Sequence, residues 1–313
     1  MFQLTNNELD TFAKQSGFLK NPLEKMFRLL DILSTLRSNP VTKDAFVLKG
    51  GTALNLFILD FPRISFDVDL NYIRLISKTE MLKDRKSITL EIQRIFHSEY
   101  EIEITKEVHA LSQFSFHYQT MSGSSDMLKL EINYLVRVPI LAPQIRSFKH
   151  FDWNVEYLCL DSQELLASKT VALLSRYTPR DLFDVYRLII LPLNIDSKLF
   201  RSLLFFYSIV IDVKIFDLFK LKFELITQSD IQNKLAPMLR SGTYPNRNEL
   251  VMKIGKFLSP FLIMSSGETD ALHNFYNTGK LDFDILFPQK EVQEKIRISP
   301  SLEWKIQNIK RNV

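Results

Sequence analysis

Cysteine is almost missing from this chain. Cys159 is the single thiol in 313 residues, so no internal disulfide can form, and the composition suits a reducing cytoplasm. No histidine or lysine marks Cys159 as a nucleophile, and it reads as a small buried apolar residue. Histidine is sparse too: five scattered residues form no H-E-x-x-H, and no C-x-x-C occurs, which argues against a zinc centre. A G-x-x-x-x-G-K-[ST] string is absent, which removes a P-loop kinase. The N-terminal stretch has no basic segment followed by an apolar one, so no secretion signal is expected. The most apolar run, Leu203–Ile211, is too short to span a bilayer and is closed by Asp212 and Lys214. A buried helix explains it, and no membrane partner is expected.

What is present is ordinary for a globular protein: 46% hydrophobic and 24% charged residues, enough for one large domain or two moderate ones. The net charge of +4 permits contact with nucleotide or nucleic acid without requiring it. Repeats and low-complexity segments are lacking.

Phe46 to Tyr72, FVLKGGTALNLFILDFPRISFDVDLNY, carries the chemistry. A short apolar run ends at Lys49 and meets Gly50 and Gly51. Read as a strand, Arg63–Tyr72 puts Ser65, Asp67, Asp69 and Asn71 on one face and Ile64, Phe66, Val68 and Leu70 on the other. Two carboxylates so close repel unless a cation lies between them. Mg²⁺ suits such a pair, because it binds through one or two carboxylates and keeps room for phosphate and water. A glycine turn lets backbone N–H groups approach a phosphate closely.

The glycine pair, short gap and D-x-D strand resemble the nucleotidyltransferase superfamily with the DNA polymerase β-type core. The fuller string, KGGTAL followed by R-x-S-x-D-x-D-L, resembles its AbiEii/AbiGii branch, toxins of type IV toxin–antitoxin and abortive systems. Gly51 stands where much of the superfamily has serine, so a hydroxyl contact to phosphate is lost, although a glycine pair is usual in this branch.

Along the chain, Asn21 and Pro22 suit the cap and first position of a helix over Leu23–Leu36. Ala45–Leu48 reads as a strand, and Thr52 as the cap of a helix over Ala53–Leu59. Met81–Ser98 has a helical period with Leu90, Ile92, Ile95 and Phe96 inward. Glu101–Val108, Leu111–Thr120 and Met127–Val138 read as strands, the last two joined by a turn at Ser122-Gly123-Ser124-Ser125. On the last strand, Lys129, Glu131 and Asn133 share a face. Glu131 is either a solvated edge residue or the third carboxylate that the superfamily often carries on a later strand.

Asp161-Ser162-Gln163-Glu164 has capping-box spacing before a helix reaching Tyr177, with Lys169 in its middle. Taken alone, Lys169 is a surface lysine with its stem on apolar neighbours. Thr178-Pro179-Arg180-Asp181 opens a second helix over Pro179–Leu191, where Asp181 serves a cap and Asp184 pairs with Arg187. The run SKTVALLSRYTPRDLFDVYRL resembles the later AbiEii motifs, a lysine helix followed by R-D-h-x-D. That resemblance implies functional roles for Lys169, Arg180, Asp181 and Asp184. Asp184 is the preferred working carboxylate, because Asp181 already has a capping task. Beyond Leu191 the signals are helical over Lys198–Val213, Phe216–Leu225, Glu249–Leu258 and Thr269–Thr278, with loops at Ser241–Pro245, Ser259-Pro260 and Ser265–Gly267. Near the end, FYNTGKLDFDILFP echoes the family faintly. Its D-x-D, Asp282 and Asp284, lacks a preceding glycine pair and reads as structural.

The expectation is therefore an α+β protein: a polymerase β-like core of mixed sheet and helices with N-terminal helices over residues 1–160, then an α-helical domain over 161–313. It is expected to be a Mg²⁺- or Mn²⁺-dependent enzyme moving a nucleoside monophosphate from an NTP to an acceptor hydroxyl. Asp67 and Asp69, with Glu131 as a third candidate, would hold metal, and Gly50, Gly51 and Ser65 would shape the phosphate turn. Lys169 and Arg180 would offset charge on the pyrophosphate, and Asp184 would orient or deprotonate the hydroxyl. The resemblance implies an antitoxin partner and, as one acceptor, a tRNA 3′ end. A small molecule or protein as acceptor, or a non-catalytic nucleotide-binding module, is the competing class.

Overall fold

The computed structural model describes every residue except Met1, Phe2, His109, Leu193, Asp212, Val213 and Val313. The expected closure of the apolar run at Asp212 and the expected helix end at Val213 lie outside the described residues. The chain forms two compact units. The first comprises Met1–Arg137, Pro143–Leu160 and Pro237–Thr243, and the second Val138–Ala142, Asp161–Ala236 and Tyr244–Val313.

The first unit opens with α1 (Asn6–Ser16) and α2 (Lys20–Ser38). Thr5 and Glu8 close a capping box on α1, and Gly17 ends it in the left-handed conformation. The helix α2 starts at the cap position Leu19 rather than Asn21, so Pro22 sits inside its first turn. Proline is tolerated there because those N–H groups have no partner within the helix. Next come β1 (Phe46–Lys49), α3 (Gly50–Phe57), β2 (Asp67–Tyr72) and α4 (Lys78–Phe96). Leu90 of α4 points outward at 58% exposure, contrary to expectation, because Met81, Arg85, Ile88, Ile92 and Phe96 form the inward stripe.

Five strands complete the sheet: β3 (Glu101–Val108), β4 (Leu111–Gln119), β5 (Ser125–Asn133), β6 (Gln144–His150) and β7 (Trp153–Cys159). The sheet has the order β3-β4-β5-β2-β1-β7-β6 and is mixed: β2 pairs with β5 and β1 with β7 in parallel, the other neighbours antiparallel. This is the expected α+β class. Alternation along β2 and β5 buries Val68, Leu70, Leu128, Leu130 and Ile132 on one face. The opposite face carries Asp67, Asp69, Lys129 and Glu131. Phe27, Phe114 and Phe116 are fully buried within the unit.

The second unit is helical. It contains α5 (Ser162–Arg176), α6 (Pro179–Ile189), α7 (Ser197–Val210), α8 (Ile215–Leu218) and the short α9 (Gln228–Asp230). Then follow α10 (Arg247–Leu262), α11 (Ser266–Thr278), α12 (Phe283–Leu286), α13 (Lys290–Arg297) and α14 (Pro300–Asn312). The helix expected over Phe216–Leu225 is instead α8 followed by a single 3₁₀ turn at Phe223–Leu225. Pro260 does not make a loop but lies in the last turn of α10. Ser265 caps α11 through a box with Glu268. Asp282 caps α12 and Asp284 accepts from Gln293, so the second D-x-D is used structurally. No helix among the described residues is long and apolar enough to cross a membrane.

Candidate active site

In the first unit, strand register assembles the predicted carboxylates. Asp69 lies opposite Lys49 of β1 and opposite Glu131 of β5, while Asp67 lies opposite Lys129. Directly opposed residues point to the same side of a sheet, so Asp67, Asp69 and Glu131 share one face. Glu131 Oε2 accepts from Lys129 Nζ at 3.0 Å. Burial works against the Lys129 ammonium, but Glu131, Asp67 and Asp69 outweigh it and raise its pKa.

Gly50 follows β1 and opens α3 with a φ of +71°, a left-handed value that suits glycine. A Cβ there would collide with the carboxylate of Asp69. Backbone and carboxylate are thus packed as closely as chemistry permits. Lys49, at the cap position of α3, makes no side-chain cap hydrogen bond, and a helix start of this kind suits an anion. Gly51 is buried in that first turn.

Thr52 does not cap the helix, as the sequence suggested. Its buried hydroxyl lies 2.9 Å from Ser65 Oγ and 2.5 Å from the carbonyl oxygen of Asp67. It ties α3 to the start of β2. Ser65 is buried and lies before the strand rather than in it, since β2 begins at Asp67. Further along the acidic face, Asn71 is buried and its Oδ1 has no hydrogen-bond partner. Such an acceptor costs about 1–3 kcal/mol if left dry.

These residues fit a hard divalent cation. The donors are carboxylate oxygens, Gly50 makes room at Asp69, and the orphaned Asn71 acceptor beside it suits a bound water. Among the described residues no three carboxylate, imidazole or thiol groups converge into a ready-made cage. Mg²⁺ does not need one, because it is commonly held by one or two carboxylates together with substrate phosphates.

In the second unit, Lys169 is not a surface lysine. Its side chain is 9% exposed, and Nζ lies 3.1 Å from Asp181 Oδ1 and 3.0 Å from Asp184 Oδ2. A tight turn between α5 and α6 creates this proximity. Tyr177 adopts φ +49°, which costs a non-glycine residue about 1–2 kcal/mol. Its hydroxyl holds the conformation, donating to the Lys220 carbonyl and accepting from the Lys222 N–H. Thr178 then caps α6 with Pro179 at its first position, as the sequence predicts.

Asp181 and Asp184 are 1% and 0% exposed. Burial alone would raise the Asp181 pKa, but Lys169, Arg176 and the Thr178 hydroxyl hold its carboxyl well below the usual range. Arg176 reaches both Asp181 oxygens, at 2.6 and 2.9 Å. Sequence reasoning passed over Arg176 and singled out Arg180, which is exposed. The signal was available: Arg176 is two helical turns after Lys169, on the same side of α5. Asp184, expected to pair with Arg187, pairs with Lys169.

The structure thus gathers Gly50, Asp67, Asp69 and Glu131 in the first unit, and Lys169, Asp181 and Asp184 in the second. Among solved structures, MenT4, a nucleotidyltransferase toxin from Mycobacterium tuberculosis H37Rv, is similar at 15% identity and TM-score 0.65, covering 95% of this chain and 99% of that one. JHP933 from Helicobacter pylori is similar at 17% identity and TM-score 0.52, covering 84% and 100%. Identities this low speak for the fold alone. No curated protein is similar enough in sequence to match. The family model described as nucleotidyl transferase AbiEii toxin, type IV toxin–antitoxin system, matches residues 31–252. With that match over most of its length, the chain belongs to the AbiEii family of nucleotidyltransferase toxins.

Proposed function

We propose that the enzyme transfers a nucleoside monophosphate from an NTP to an acceptor hydroxyl at a tRNA 3′ end, using the acidic face of β2 and β5. The observation that carries this reading is the packing of Gly50 directly on Asp69, beside Asp67 on the same face. Asp67 and Asp69 would hold Mg²⁺ or Mn²⁺, with Glu131 as the third carboxylate. The ion, when bound, supplies a Lewis acid for the phosphate oxygens. The uncapped start of α3, at Gly50 and Gly51, suits the triphosphate, and Ser65 and Thr52 keep that turn in place.

The acceptor oxygen bonds to the α-phosphorus, the bond from that phosphorus to the α,β-bridging oxygen breaks, and pyrophosphate leaves. The hydroxyl proton passes to a carboxylate of the acidic face. Lys169, expected to offset charge on the pyrophosphate, is held between Asp181 and Asp184 within the second unit, where Arg180 is an exposed cation of the kind that pairs with phosphate. Asp184 has no exposed surface and in this reading works through Lys169, sharing with Asp181 the task of holding the ammonium. Cys159 takes no part, since burial pushes its thiol up to about 12, and such a thiol is at ease in the cytoplasm. Family membership implies an antitoxin partner.

The test mixes whole protein and Mg²⁺ with each α-labelled NTP in turn, with and without total tRNA. Label should enter tRNA from one NTP, and Asp67→Ala or Asp69→Ala should reduce transfer about a thousandfold or more without unfolding the protein. Label on protein or a small molecule instead would replace the acceptor while keeping the chemistry. No transfer, with no NTP binding by calorimetry, would leave a non-catalytic module.

A further inference from the structure

A cation stands inside the acidic face, and the reaction above gives it no task. Lys129 lies directly across from Asp67 in the β2–β5 pairing, and Glu131, next on the same face, lies across from Asp69. The Lys129 ammonium is 3.0 Å from Glu131 Oε2, and the two side chains are 33% and 23% exposed. Strand alternation leaves the lysine nowhere else to go. The other face of β5 is Leu128, Leu130 and Ile132, where a charge could not be satisfied. Three carboxylates at adjacent positions repel one another; Lys129, beside Glu131, and Lys49, opposite Asp69 on β1, offset part of that repulsion. A divalent cation would answer to the same carboxylates, so it and Lys129 compete.

We propose that Lys129 is the resident counter-cation of the acidic face. It holds Glu131 in the nucleotide-free protein, opposes entry of a divalent ion alone, and turns to the triphosphate when a nucleotide arrives with its own negative charge. This inference rests on Asp67 and Asp69 being the metal ligands. Lysine suits the part, because a compact ammonium on a flexible four-carbon stem changes partners without moving the backbone. Partial exposure leaves it room to do so. Metal then enters with the nucleotide rather than ahead of it.

Calorimetric titration of the whole, nucleotide-free protein with Mn²⁺ alone tests this. Lys129→Met should bind Mn²⁺ roughly tenfold more tightly than wild type, the effect of removing a unit charge beside a divalent ion in near-aqueous surroundings. Lys129→Arg keeps the charge and should stay within about twofold. Without metal, Lys129→Met should melt lower than wild type and regain more on adding Mn²⁺. A folded Lys129→Met that binds Mn²⁺ no more tightly overturns the inference. Should that variant fail to fold, Lys129→Gln carries the same expectation. Mn²⁺ binding that Asp69→Asn abolishes, with Lys129→Met unchanged, overturns this inference alone. No Mn²⁺ uptake by wild type or Lys129→Met overturns the metal-ligand reading as well.

Discussion

Each unit of this molecule gathers carboxylates around a lysine, under opposite physical conditions. On the sheet, Asp67, Asp69 and Glu131 are half-exposed and share their face with Lys129 and Lys49, three negative charges to two positive, so negative charge is in excess. In the helical unit, Asp181 and Asp184 are buried and face Lys169 and Arg176, two charges of each sign. Burial accounts for the difference. A charge removed from water must be paired on the spot, so the helical cluster is closed and balanced. Carboxylates still in contact with water tolerate an imbalance, and that imbalance is what attracts an outside cation. Identical residue types thus make a preorganised ammonium in one unit and an open cation-seeking face in the other.

Several substitutions would break or sharpen that contrast. Lys169→Met should have the largest effect on stability, about 3–5 kcal/mol by urea unfolding, since it takes the ammonium from the fully buried Asp184 and leaves Asp181 with Arg176 as its remaining cation. A loss below about 1 kcal/mol would mean that the cluster is hydrated and the contrast is false.

Glu164 tests whether burial in the helical unit governs carboxylates generally. It forms no capping box with Asp161. It is fully buried and accepts from the N–H groups of Ile140 and Leu141 and from the Tyr207 hydroxyl. Burial pushes its carboxyl up to about 7, against the partial opposition of those donors. A folded pKa above the unfolded one means that its stabilising contribution is complete below about 4.5 and is lost as pH rises through about 7. The span corresponds to about 3 kcal/mol. Glu164→Gln should therefore flatten the pH dependence of urea unfolding between roughly pH 5 and 8.

Gly50→Ala strikes the open face. Backbone strain should cost about 1–2 kcal/mol, and displacement of Asp69 should reduce nucleotidyl transfer roughly tenfold to a hundredfold. Activity untouched by this change would separate Gly50 from the chemistry. The smallest effects fall on the arginines. Arg176→Ala should cost at most about 1 kcal/mol, because the side chain is 58% exposed, and Arg180→Ala should leave thermal stability unchanged.

Much of the sheet site was legible because it depends on neighbours in sequence. Two-residue alternation sets the faces of β2 and β5, and a glycine pair after an apolar run marks a close backbone approach. The β6–β7 hairpin was not legible. Its turn places Phe151 and Asp152 at φ +55° and +61° without the usual glycine or asparagine. Aromatic packing compensates: Phe151 lies against Phe12 and Phe27, and Trp153 against Phe27, at centroid distances of 5.0, 5.7 and 4.9 Å. Arg176 was missed for a related reason, since an exposed arginine late in a helix looks like any solvated one until its partner is known.

Local chemistry, then, was sufficient for the acidic strand face, the glycine turn, the cap of α6 and the α+β class, since each follows from residues within a few positions of one another. Partnership across the chain was decided only by folding. The parallel pairing of β2 with β5 brings Glu131 and Lys129 to Asp69 and Asp67. The strained turn at Tyr177 closes Lys169 onto Asp181 and Asp184. Glu164 abandons a local cap for donors at Ile140, Leu141 and Tyr207. The physical reason is common to all three: a charge takes the partners that its degree of burial demands, and burial is a property of the packed molecule rather than of the string.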